Sequence, residues 1–176
     1  MERNMAIDIR SLFSMSSGSK YFEIRLLDGL SGVQEGTVGI RTTLPSAGSL
    51  GYVSGLCFDS RDTNVYNDGS LVTTTGLSQS SNPIIGFALK FGVSAVEVWI
   101  AKNNVWVNSG NPSAGTGSVI SLPLGTYYAA AGTYVFIGAF SGRNNQLLGI
   151  EDSQFYNPPT GFIAAATDTI VWEPVP

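Results

Sequence analysis

The chain has 176 residues, nine Lys and Arg, 13 Asp and Glu and no His, which gives a formal net charge of −4. The few cationic residues are scattered, so the sequence offers no basic patch to neutralise phosphates, and nucleic acid is excluded as a partner. Because the chain has one Cys, an intrachain disulfide is excluded, and because it has no His, a Ser-His-Asp triad and an imidazole metal site are excluded.

Strand-length segments with a period of two run through the chain, separated by turn residues. Predicted strands lie at residues 6–13, 21–27, 37–41, 52–59, 64–66, 71–75, 84–91, 95–102, 127–140 (two strands or one bent strand), 147–155 and 170–172. Asn67-Asp68-Gly69 and Asn103-Asn104 predict turns with positive φ. The pattern predicts one all-β domain, an antiparallel two-sheet β-sandwich with almost no helix.

Charged residues make up 12% of the chain, against about 25% in an average soluble domain. Its polarity comes instead from Ser, Thr, Asn and 21 Gly. Such a surface suits lateral contacts in an assembly or hydrogen bonds to a neutral ligand such as a sugar. The alternative is a β-rich domain with long polar loops.

Several stretches resemble the SPRY (B30.2-like) family when taken in order. Residues 16–24 (SSGSKYFEI), 85–89 (IGFAL), 98–106 (VWIAKNNVW) and 155–162 (FYNPPTGF) are similar to its S-G-K-x-Y-F-E-V, G-V-A-L-D, V-W-F-x-K-N-G-x-W and F-x-Y-x-P-P-T-G-F patterns. The resemblance implies a bent sandwich akin to concanavalin-type lectins. It also implies a non-enzymatic domain that binds proteins or glycans through loops at one end.

The extension at residues 108–112 and the P-P-T-G-F ending are similar to members of the family from tailed bacteriophages. This resemblance implies a structural and binding component of a virion, made in the host cytoplasm, that contacts other virion proteins as a homo-oligomer or in many copies. The alternative is a tail-fibre module that binds host-surface carbohydrate, and a cytosolic adaptor is a third reading. No secretory signal and no run of 18 apolar residues occur, so no membrane insertion is predicted.

Binding is expected in the loops at residues 42–51, 103–117 and 141–145. Amide groups and an aromatic face suit a neutral sugar or backbone groups. The predicted contact residues are Asn103, Trp106, Asn108, Asn111, Ser46 and Asn144. For Trp106 two placements are open, an exposed stacking platform or a ring that lies over the sandwich edge and holds the loop.

No catalytic residue, metal site or cofactor is predicted. Glu151 and Asp152 are adjacent on a predicted strand, so their side chains point to opposite faces and cannot form a carboxylate pair. The acidic residues between Asp59 and Asp68 do not have the spacing of a calcium loop, and Asx turns are the alternative. Cys57 lies in an apolar run and is predicted to be buried and inert.

The sandwich domain is assigned to residues 1–162, and a C-terminal segment follows at residues 163–176. This segment carries apolar residues where an ordinary terminus is polar. It either completes a sheet edge of its own domain or docks on a neighbour by strand addition. The predicted assembly contacts are Ile170, Val171 and Trp172.

Overall fold

The computed structural model describes residues 5–26, 37–42, 55–59, 62–78, 83–135, 145–148, 156–165 and 172–174. Within these ranges the chain is nearly all β, with two three-residue 3-10 helices at Val107–Ser109 and Pro112–Ala114. The strands form two sheets. The predicted β-sandwich is therefore confirmed.

The first sheet contains seven of the described strands, all antiparallel to their neighbours. Its spatial order is β14-β1-β11-β3-β4-β5-β6. The strands are β1 (Met5–Met15), β3 (Thr37–Arg41), β4 (Leu56–Asp59), β5 (Asn64–Asn67), β6 (Ser70–Thr74), β11 (Tyr127–Val135) and β14 (Trp172–Pro174).

The second sheet has the order β10-β8-β7-β2-β12, with β9 beside β8 and β13 beside β2. Its strands are β2 (Ser19–Leu26), β7 (Ile84–Phe91), β8 (Ala95–Lys102), β9 (Val105–Trp106), β10 (Ile120–Pro123), β12 (Asn145–Leu148) and β13 (Ile163–Ala164). β13 runs parallel to β2, whereas the other pairs are antiparallel.

The main core lies between the two sheets. Strand alternation sends every second side chain inward. Val38, Ile40 and Phe58 of the first sheet pack in one cluster with Phe22 and Phe87 of the second. The two phenylalanine rings stack with centroids 5.0 Å apart.

A second apolar cluster covers the outer face of the second sheet. It contains Tyr21, Ala88, Trp99 and Phe162, and Trp106 packs against it. Trp99 is fully buried even though it points away from the main core. This outer layer fixes the loops that form the candidate site.

The predicted hairpin of residues 84–91 and 95–102 is confirmed with those bounds. Both predicted turns have left-handed backbones, at Asp68 (φ 47°) and Gly69 (φ 80°), and at Asn103 (φ 48°) and Asn104 (φ 63°). The predicted strand at 127–140 is seen as β11, and residues 136–140 lie outside the described ranges.

The C-terminal segment pairs with the chain's own first strand. Ile9 is opposite Pro174 and Ser11 is opposite Trp172 in an antiparallel register. This is the arrangement that the edge-strand alternative expects. Ile170 and Val171 lie outside the described residues, and a contact of the segment with a neighbour stays a prediction.

Candidate functional site

A groove opens where the loop after β9 faces the loop that precedes β13. Its volume is about 520 Å³, within the range of about 300–1,000 Å³ common for ligand sites. The first wall is Asn104, Trp106, Ser109, Gly110, Asn111, Pro112 and Ser113, and the second wall is Asn157, Pro158, Pro159 and Thr160. No residue of this Trp106 groove carries a charge, so its chemistry fits an uncharged ligand.

Backbone hydrogen bonds hold the first wall. Asn111 and Thr116 form an antiparallel bridge, in which the Asn111 N–H donates to the Thr116 carbonyl at 2.8 Å and the Thr116 N–H donates back at 3.1 Å. The Asn111 side chain caps the following 3-10 helix, because its Oδ1 accepts from the Ala114 N–H at 3.1 Å. This wall is therefore preorganised by its own residues.

Trp99 connects both walls from beneath. Its Nε1–H donates to the Thr116 carbonyl at 2.7 Å, next to the first wall. Its ring meets Phe162, which follows the second wall, edge-to-face at 6.2 Å. A Cβ at Gly110 would lie 3.0 Å from Trp99 Cδ1 and 2.9 Å from the Gly117 carbonyl oxygen, so only glycine fits this close approach.

The second wall is a tight turn that ends on the outer layer. The Phe162 N–H donates to the Pro159 carbonyl at 2.9 Å. Gly161 has a left-handed backbone with φ 86°. Past the turn, Ile163 pairs with Lys20 of β2, and the Ala165 N–H donates to the Tyr21 carbonyl at 2.7 Å. The chain that follows this wall is thus tied to the second sheet.

Trp106 is half-buried and belongs to both the outer layer and the groove. Its ring lies 6.4 Å from that of Tyr21 at an angle of 56°. The structure thus combines features of both predicted placements, since the ring rests on the sheet and also lines the groove. No acceptor for the Trp106 Nε1–H is found among the described residues.

A buried polar pair includes Tyr21 of this outer layer. The Tyr21 hydroxyl donates to Glu23 Oε1 at 2.6 Å, and Glu23 is fully buried. Burial raises the pKa of Tyr21 far above its ordinary value, and the hydrogen bond to Glu23 raises it further. A Cβ at Gly86 would lie 2.7 Å from the Tyr21 hydroxyl, so a glycine on β7 makes room for the pair.

Of the predicted contact residues, Trp106 and Asn111 line the groove. Asn103 does not line it, because its Oδ1 accepts from the Ile84 N–H at 2.9 Å at the end of the hairpin. Asn108 also lies outside the groove and accepts a long hydrogen bond (3.4 Å) from the Thr73 hydroxyl of β6. Ser46 and Asn144 lie outside the described residues.

The predicted binding loop at residues 103–117 contains the whole first wall, although Asn104, Ser109 and Ser113 are not among the named contact residues, and sequence reasoning missed the second wall. One signal was available for the second wall. The P-P-T-G-F stretch is similar to a family pattern. The sequence alone, however, does not place residues 157–160 opposite Trp106.

Asp62, in the acidic region between β4 and β5, forms a turn. Asp62 Oδ1 accepts from the Asn64 N–H at 2.9 Å, which is an Asx turn, and its Oδ2 accepts from the Tyr66 hydroxyl at 2.5 Å. In the described part of the chain, no three His, Cys, Asp or Glu side chains cluster as metal ligands. Cys57 is buried, as predicted.

The fold class that these features define is a SPRY-like β-sandwich. The structure is similar to a crystal structure of a human SPRY domain, with a TM-score of 0.55 and 21% sequence identity over 80% of this chain and 84% of that chain. The SPRY domain of human HERC1 gives a TM-score of 0.49 and 13% identity, over 76% of this chain and 75% of that one.

No protein-family model matches the chain, and no curated protein sequence matches it. Within the described ranges, no helix has the length and apolar character needed to cross a membrane.

Proposed function

We propose that this chain is a non-enzymatic binding module that acts through protein–protein contacts. The observation that supports the proposal most is the Trp106 groove, whose walls are held by backbone hydrogen bonds and by Trp99. A rigid concave site loses little conformational freedom on binding, which is the property that a recognition surface needs.

The absence of catalysis is part of this proposal. The sequence contains no His. The groove offers amides, hydroxyls, proline rings and an indole, but neither an acid nor a base with which to transfer a proton. Glu23, the buried carboxyl group nearby in the fold, accepts a hydrogen bond from Tyr21 of the outer layer.

The finer proposal is that the module is a structural part of a bacteriophage virion, as a capsid decoration or an accessory protein of the tail or fibre. Its support is the likeness of residues 108–112 and 158–162 to phage members of the SPRY family. Low charge over the whole chain also favours packing beside other copies or other virion proteins.

A second candidate is a module of a tail fibre that binds host-surface carbohydrate. The specific observation in its favour is Trp106, an indole that lines a groove together with amide and hydroxyl side chains. An indole packs against the apolar face of a sugar ring, and amide and hydroxyl side chains form hydrogen bonds with the sugar hydroxyls.

Two measurements test the proposed function. Particles from a lysate of the host are banded on a density gradient and probed with antibody against the chain, which is expected to sediment with them at a fixed copy number. Recombinant chain is then applied to a glycan array and to isolated virion proteins. Chain that stays in the soluble fraction overturns the virion proposal, and glycan binding without protein binding favours the second candidate.

A further inference from the structure

The apolar surface of the Trp106 groove is divided between its two walls. Half-buried Trp106 lies on the first wall with Pro112 buried beside it, and half-buried Pro158 and Pro159 lie on the second. A ligand in the groove therefore has ring surfaces on both sides of it. A sugar that stacks on one broad aromatic face uses a different arrangement, and part of the Trp106 ring is already taken up by Tyr21.

The polar groups of the groove suit a peptide backbone. Asn104 and Ser113 on the first wall and Asn157 and Thr160 on the second carry exposed side chains with hydrogen-bond donors and acceptors. A donor is also present at the Trp106 Nε1–H, for which the described residues supply no acceptor. A backbone carbonyl that precedes a proline is an acceptor exposed on an extended peptide.

From these features we infer that the Trp106 groove binds an extended, uncharged, proline-containing segment of a partner protein. The inference rests on the proposed function and names the partner's chemistry. Polyproline II segments have a fully solvated backbone and are preformed, and they dock in grooves lined by aromatic rings. A charged segment is disfavoured because the groove offers no countercharge.

The groove is ready to accept such a segment without rearrangement. The first wall is fixed by the bridge between Asn111 and Thr116, and the second wall by the turn at Phe162. Both walls rest on Trp99, which is fully buried. A preformed groove and a preformed ligand reduce the entropy lost on association.

The test uses the full chain labelled with ¹⁵N and a pooled library of capped, uncharged decapeptides with a fixed Pro-x-x-Pro core. The comparison ligands are the same library with alanine in place of proline, and the neutral tetrasaccharides cellotetraose and maltotetraose. The chain has three Trp, so three indole N–H signals are followed, and Trp106→Phe identifies one of them.

The expected result is that the proline library shifts the Trp106 indole signal and leaves that of Trp99 in place. Replacing the core prolines by alanine is expected to weaken binding about fivefold or more, because each proline reduces the number of conformations of the unbound peptide. Trp106→Ala is expected to weaken binding about thirtyfold or more, as for a hot-spot residue.

Control variants distinguish a loss of binding in the groove from a loss of folding. Val105→Ala changes an adjacent exposed residue outside the groove and is expected to leave binding unchanged. If Trp106→Ala fails to fold, Trp106→Phe keeps a ring but removes the N–H, and about fivefold weaker binding is expected from one lost hydrogen bond. Asn157→Ala tests the second wall in the same way.

Each other outcome overturns the inference. Tetrasaccharide binding at Trp106 without peptide binding assigns the groove to carbohydrate. Binding of neither ligand, or peptide binding that Trp106→Ala does not change, removes the groove as a peptide site. These results are independent of particle sedimentation, so a failed virion proposal and a failed peptide inference are told apart.

Discussion

Trp99 and Trp106 belong to the same outer layer of the second sheet, yet they have different surroundings. Trp99 is fully buried and its Nε1–H donates to Thr116. Trp106 is half-buried, lines the groove and has no acceptor among the described residues. In this layer, the tryptophan whose indole N–H is bonded within the chain supports the fold. The tryptophan whose N–H has no acceptor among the described residues is the candidate contact residue.

The largest expected effect is that of Trp99→Ala. Removing a fully buried tryptophan leaves a cavity and is expected to lower the free energy of unfolding by about 3–5 kcal/mol. Trp106→Ala, which removes a half-buried ring, is expected to lower it by about 1 kcal/mol. Urea unfolding followed by far-UV circular dichroism measures both. Equal losses for the two variants would contradict the distinction between them.

A smaller loss is expected for Gly110→Ala, because the added Cβ would lie well inside van der Waals distance of Trp99 Cδ1 (3.0 Å) and the Gly117 carbonyl oxygen (2.9 Å). Overpacking of this kind lowers the free energy of unfolding by about 1–3 kcal/mol. Gly125→Ala is the control, since its Cβ would meet its nearest neighbours at 3.8 Å. Thermal unfolding compares the two variants, and a shift of equal size in both would remove the close approach as the cause.

Tyr21→Phe tests the buried polar pair and is expected to lower the free energy of unfolding at neutral pH by about 1–3 kcal/mol, because buried Glu23 loses a hydrogen-bond donor. The pKa of Tyr21 is higher in the folded chain than in the unfolded one. Stability tied to its protonated form is therefore complete below the unfolded value of about 10 and is lost as the pH rises above it.

The wild-type chain should accordingly lose stability above pH 10 more steeply than Tyr21→Phe. Urea unfolding at pH 7, 10 and 11 measures the two slopes. Tyr66 and Tyr127 also have raised pKa values, so the variant keeps part of the alkaline loss. Identical slopes in the two proteins would rule out Tyr21 as a source of it.

A smaller effect than that of Trp99→Ala is expected for Trp99→Phe, which keeps a buried ring but removes the hydrogen bond to Thr116. We expect a modest loss in the free energy of unfolding, about 1–2 kcal/mol. Amide hydrogen exchange should become faster in residues 107–117 while the β7–β8 hairpin stays protected. Unchanged exchange in that loop would show that the backbone bridge alone holds the first wall.

Much of the fold could be predicted because successive side chains of a strand point to opposite faces, so an alternation of apolar and polar residues predicts a strand. Residues 95–102 form the predicted strand, and their alternation places Val96 and Val98 in the main core and Trp99 on the outer face. β13 was not predicted, because two residues are too few to display a period, whereas the short return strand β9 comes directly after the predicted Asn103-Asn104 turn. β10 has four residues and ends in Pro123, which hides its strand character.

The candidate site was predicted only in part. The turn and loop chemistry around Asn103 and Trp106 predicts the part of the chain that supplies the first wall of the groove. The pattern did not reveal that the Asn103 oxygen accepts from Ile84, or that Asn157 lies across from Asn111. Those facts depend on contacts between distant parts of the chain. The burial of Glu23 was missed for the same reason, since an alternating strand places it on a face that is usually wet.

The parallel pairing of β13 with β2 has a consequence for how the domain is made. Ile163 pairs with Lys20, so the second wall of the groove docks only after residue 163 has left the ribosome, long after residue 20. Contacts between residues this distant in sequence slow folding to about milliseconds or seconds. The groove should therefore mature late, before only the pairing of β14 with β1 in chain order, and a nascent chain that ends before residue 157 should expose Trp106 without the second wall.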